Sequence, residues 1–113
     1  RHNIAALMLH DAALIDEETL ALHALNVARD RLPRRRLSRT DVLARALTRI
    51  KVPVAAIYGE HDPLYAGCLA DLQLLMQQQC QGELDWQVMR GVGHWAPHED
   101  PTAFCAALQE ALS

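Results

Sequence analysis

The chain has 113 residues, half of them apolar and 22% charged, with a formal net charge of −3. That length accommodates at most one domain, and the apolar-to-charged balance is that of a globular chain rather than a disordered one. An acidic chain has no general attraction to nucleic acid or to anionic membranes, and no apolar run approaches the roughly 20 residues needed to span a bilayer.

The first elements are helical. Ile4–Leu9 is a short apolar run, too short for a signal peptide. From Asp16 to about Leu32, Leu20, Ala24 and Val27 recur at helical spacing. Asp16, Glu17 and Glu18 stand where a helix N-terminus favours negative charge, and Arg29 and Arg31 near the opposite end. The chain divides near Pro33, where the basic stretch Arg34-Arg35-Arg36-Leu37-Ser38-Arg39 begins. No aromatic residue interleaves with it, so it reads as a solvated linker rather than a nucleic-acid surface. Thr40 or Ser38 caps a short helix from Asp41 to Thr48.

The period then changes. Val52-Pro53-Val54-Ala55-Ala56-Ile57-Tyr58 is a nearly continuous apolar run, the pattern of a strand buried on both faces. Gly59 to Pro63 is a turn, and Ala66 to Gln81 a helix with Leu69, Leu72 and Met76 on one face, stopped by Gly82. Leu84, Trp86 and Val88 alternate with Asp85 and Gln87, which predicts a half-exposed edge strand. After a loop from Arg90, Asp100 caps and Pro101 opens a last helix, with Phe104, Leu108 and Ala111 on its apolar face. Met76 and Met89 read as core packing, and Cys68, Cys80 and Cys105 as buried free thiols in a reducing compartment.

Strand, crossover helix and second strand make a parallel pair with a right-handed connection. Two parallel strands cannot bury their own faces and edges, so the fold class is α/β with an incomplete sheet, further strands coming from other sequence or another chain. Chemistry in open α/β sheets gathers beyond the C-terminal strand ends. There lie Tyr58-Gly59-Glu60-His61-Asp62-Pro63 and Arg90-Gly91-Val92-Gly93-His94-Trp95-Ala96-Pro97-His98-Glu99-Asp100-Pro101. Neighbouring parallel strands bring Asp62 and His94 into one crevice.

These two segments resemble the end of the α/β-hydrolase fold, over about Leu47 to Leu112. The resemblance implies that Asp62 is the acid and His94 the base of a catalytic triad, met in the order nucleophile, acid, histidine. It matches Gly91 and Gly93 to turn glycines, and Glu99, Asp100 and Pro101 to the opening of the final helix. Residues 1–39 then resemble a lid-like helical segment with a basic linker, and 40–113 the C-terminal core segment. In such a triad the carboxylate fixes the imidazole tautomer and the imidazole takes the proton of a serine. The only serines, Ser38 and Ser113, lie in no Gly-x-Ser-x-Gly elbow, so the nucleophile is expected outside this chain and the chain alone is expected to be inactive.

The implied activity is hydrolysis of small apolar esters, or of carbon–carbon bonds next to a ketone, by a cytoplasmic enzyme. Trp95 and His23 are candidate substrate-binding residues beneath the lid, with no metal and no cofactor. The expected partners are a small-molecule substrate and either the missing N-terminal half or further copies of the chain, with no nucleic acid or membrane. Two alternatives stand: an Asp nucleophile, giving an epoxide hydrolase or dehalogenase, and a non-catalytic binding or assembly module on the same scaffold.

Other signals weigh less. Gly91-Val92-Gly93-His94-Trp95-Ala96 fits a dinucleotide fingerprint, but Pro97 follows at once and the chain lacks a second ribose-binding strand. His94 and His98 have a zinc-helix spacing that Gly93 and Pro97 oppose. Cys68 occupies the wrong element for a nucleophile. Glu60 and His61 read as solvated turn residues, and His10 as packed or partly exposed.

Overall fold

A computed structural model describes residues 1–31 and 40–113. The division near Pro33, the basic stretch and Ser38 as a cap lie outside the described residues, whereas the first long helix ends at Arg29, with Asp30 already extended, short of the expected Leu32. The elements run α1 (His2–Leu7), a 3₁₀ turn (Ala12–Leu14), α2 (Glu17–Arg29), α3 (Val42–Leu47) and β1 (Val54–Gly59). A second 3₁₀ turn (Pro63–Tyr65), α4 (Leu69–Gln79), β2 (Leu84–Met89), α5 (Ala96–Glu99) and α6 (Pro101–Ala111) complete the order. No helix among the described residues is long and apolar enough to cross a membrane.

The helix ends follow local chemistry. The Asp16 carboxylate accepts the Thr19 N–H at 2.8 Å and starts α2. The Thr40 hydroxyl accepts the Val42 N–H at 3.4 Å at the start of α3. Asp100 accepts the Ala103 N–H at 2.9 Å, and Pro101 fills the first turn of α6, where no intrahelical N–H is required. The helix after β1 starts three residues later than periodicity predicts and ends at Gln79, before the expected Gly82 stop. A turn over Ala66, Gly67 and Cys68, with Gly67 at φ +74°, takes up its beginning. At its end, Cys80 is already extended, and the Glu83 carbonyl accepts the Val54 N–H at 2.8 Å, which starts the sheet.

β1 and β2 pair in parallel, Val54 opposite Leu84 through Gly59 opposite Met89. This α/β arrangement has helices on both sheet faces. On one face Val54, Ala56, Tyr58, Leu84 and Trp86 gather with Leu47, Leu72 and Met76 of α3 and α4. On the other, Ile57 and Met89 meet Val92, Ala96 and Phe104 of α6. The contrast expected between a doubly buried β1 and an edge β2 is not present: among the described residues each strand is an edge, and Ala55 is exposed. The thiol expectation also needs correction. Cys68 and Cys105 are exposed, on the turn before α4 and the outer side of α6, and only Cys80 joins a core cluster.

A third cluster holds Ile4, Leu9 and Ile15, with Met8, Leu20 and Trp95 packed against it. It attaches the leading segment to the loop after β2. Arg1 supports it from outside by donating to the Ile15 carbonyl.

Candidate active site

Both loops leave the C-terminal ends of parallel strands and are joined backbone to backbone. The Glu60 N–H donates to the Met89 carbonyl at 2.8 Å and the His61 N–H to the Val92 carbonyl at 2.9 Å. The Glu60 carboxylate accepts the Gly91 N–H at 3.0 Å, so this turn residue joins the loops as well as facing solvent. The fit depends on glycine. A Cβ on Gly59 would lie 2.0 Å from the Gly93 carbonyl oxygen, well inside contact distance.

Asp62 and His94, 32 positions apart in sequence, meet at 2.8 Å between Oδ2 and Nδ1. The other carboxylate oxygen, Oδ1, accepts the Leu64 N–H at 2.9 Å and caps the 3₁₀ turn. Asp62 is buried, with its side chain 4% exposed, whereas that of His94 is 35% exposed. An ionised carboxylate only accepts hydrogen bonds, so the His94 proton sits on Nδ1 and Nε2 is left as a base. Among the described residues no hydroxyl or thiol bonds to Nε2. The Ser113 hydroxyl instead donates to the Glu110 carbonyl at 2.7 Å.

Around this pair the environment is aromatic. Tyr58 stacks on Trp86 with centroids 4.9 Å apart and meets Tyr65 edge-on at 5.3 Å. Burial pushes the Tyr58 phenol above its ordinary 10.0, with Tyr65 and the Asp62 charge adding to the effect. Trp95, next to His94, meets the half-buried His23 edge-on at 5.8 Å and His98 at 5.7 Å. A largely apolar depression of about 260 Å³ lies beside Trp95, lined by Leu22, Asn26, Trp95, Pro97 and His98. A larger cavity, about 530 Å³, lies at the opposite end of the strands among Val54, Glu83, Asp85 and Glu110, away from the pair.

His94 and His98 are not on one helix. Pro97 sits in the first turn of α5, so a single helical turn forms after His94 and carries only His98 of the two. His98 Nε2 lies 3.0 Å from the buried Thr19 hydroxyl, which is also 3.1 Å from the Leu14 carbonyl. The hydroxyl gives its one proton to that carbonyl, so His98 Nε2 is the donor to Thr19.

Two contacts had no sequence signal. His10 stacks on His61 at 3.8 Å between centroids, although 51 positions separate them. Glu99 accepts two backbone N–H groups at 2.6 Å each, from Gly93 and from Asp11. A carboxylate just after a glycine-rich loop is a cue that loop amides need an acceptor, but nothing in the sequence identifies Asp11 as the second donor.

The chain matches no protein-family model, no curated protein and no solved structure.

Proposed function

We propose that Asp62 and His94 are the acid and base of a serine-type α/β hydrolase whose nucleophile lies in sequence outside these 113 residues. The single observation that carries this reading is the 2.8 Å bond from His94 Nδ1 to a buried carboxylate at the C-terminal ends of the two strands, with Nε2 left without a partner among the described residues. Asp62 would hold the Nδ1–H tautomer and stabilise the imidazolium, while Nε2 would take the proton from the attacking hydroxyl and return it to the leaving group. The apolar depression at Trp95, with His23 behind the indole, suits a small apolar acyl group or a ketone-bearing chain. An Asp nucleophile would instead form an ester intermediate, with His94 activating the water that hydrolyses it, as in an epoxide hydrolase or dehalogenase.

The test is ester hydrolysis by the complete open reading frame that contains this chain, using short p-nitrophenyl acyl esters and a serine-reactive fluorophosphonate label. His94→Ala should abolish turnover, and Asp62→Asn should lower kcat by about 10⁴-fold by disfavouring the required tautomer. Turnover indifferent to both substitutions would refute the assignment. The open edges of β1 and β2 favour a second reading, a scaffold that assembles with further copies of itself. A stable oligomer that no active-serine or epoxide probe labels would support that reading instead.

A further inference from the structure

We infer that Glu99 is a positioning residue for His94, holding the imidazole on Asp62 by clamping the loop that carries it to the leading segment that supports that loop. This deepens the hydrolase reading and rests on it only for the consequence in catalysis; the geometric claim concerns the Asp62–His94 pair itself.

The loop after β1 holds the His94 loop only as far as Val92, through the His61 N–H and the Glu60 carboxylate. β2 ends at Met89, and α5 does not begin until Ala96. His94 therefore depends on contacts made by its neighbours, and three of them converge. The Gly93 N–H, one residue before His94, donates to Glu99 Oε2 at 2.6 Å. The Trp95 N–H, one residue after it, donates to the Met8 carbonyl at 2.8 Å. The second Glu99 oxygen, Oε1, accepts the Asp11 N–H at 2.6 Å, so one side chain fixes both the loop and the segment that supports the loop.

That segment is pressed closely against the loop. A Cβ on Gly93 would lie 2.8 Å from the His10 nitrogen and 3.0 Å from the Met8 oxygen. A carboxylate accepting two backbone N–H groups makes charge-assisted bonds, stronger and more directional than neutral ones. An amide at the same place has one acceptor oxygen and turns an NH₂ toward the other N–H. Glu99→Gln thus loosens one side of the clamp without changing side-chain size.

The readout is the His94 Nδ1–H resonance, recorded with its solvent-exchange rate in the full chain. This proton is visible while Asp62 protects it and disappears in Asp62→Asn, which assigns it. Glu99→Gln should speed its exchange by about tenfold, the scale of one lost bond to a charged group. Asp100→Ala is the control: it removes the cap of α6 next door and lowers stability without loosening His94. Where Glu99→Gln does not fold, Glu99→Asp keeps the charge but is one methylene too short to reach both donors, and is expected to show the same faster exchange. A Glu99 variant with lowered Tm and an unchanged Nδ1–H exchange rate makes Glu99 merely structural and overturns the inference. Faster exchange in a protein whose reading frame hydrolyses no ester keeps the clamp and removes the hydrolase reading.

Discussion

Thr19 has one hydroxyl proton and gives it to the Leu14 carbonyl, which leaves its oxygen free to receive His98 and its backbone N–H free to cap on Asp16. That N–H, the largest cause, and more weakly the His98 charge hold the Asp16 carboxyl below its ordinary 3.8. A depressed acid binds its proton less readily folded than unfolded, so its contribution is complete above pH 3.8 and disappears as pH falls through the folded value. Tyr58 titrates the other way: raised above 10.0 by burial, it contributes fully below pH 10.0 and its contribution is lost as pH climbs from there. Thermal melts across pH should therefore show Asp16→Asn converging with the parent below pH 3.8, and Tyr58→Phe flattening the decline above pH 10.0. Parallel Tm profiles for parent and variants would sink both assignments. Their place in two loops beyond consecutive parallel strands, together with the resemblance, pointed to Asp62 and His94, which meet at 2.8 Å. Glu99 and the His10–His61 stack were not legible, since their partners are chosen by how the leading segment folds back.

The strand–helix–strand–helix order was readable from the switch between periods of two and three to four, and caps at Asp16 and Asp100 follow from the same local rules that predicted them. Misreadings concern contact between elements. A continuous apolar run marks faces that need cover, yet it does not say whether the strand edges are paired, and among the described residues β1 has an unpaired one. Ile4, Leu9 and Ile15 of the leading helical segment pack with Trp95 of the α/β segment, a contact no periodicity specifies. Gly93 lies where the two meet. Gly93→Ala places a methyl 2.8 Å from the His10 nitrogen and 3.0 Å from the Met8 oxygen, both backbone atoms that cannot swing aside. The substitution should cost about 1–3 kcal/mol, the usual range for overpacking, read from denaturant unfolding. It should also shift the Trp95 fluorescence. An unaltered midpoint and spectrum would mean that the leading segment does not rest on this loop.

At the scale of the molecule the core is divided and thin. Among the described residues, only Ile4, Ile15 and Thr19 are almost wholly shielded, and nine buried apolar residues are shared among three clusters. The radius of gyration is 15.4 Å, against about 13 Å for a compact chain of this length. Val88 on β2 is 43% exposed and Leu74 and Leu75 on α4 are 55% and 40% exposed, close to strands whose outer hydrogen-bonding groups have no partner in the sheet. Unpaired ladders and apolar side chains together make a template for another chain. The 113-residue chain by itself should therefore associate as concentration rises, and Val88→Lys should suppress association by placing a charge at the sheet margin. Sedimentation velocity across a concentration series measures this, and hydrogen exchange locates it, since outward-facing amides of β1 and β2 should gain protection on association. A monomer at all concentrations, with those amides already slow to exchange, would mean the edges are covered within the chain.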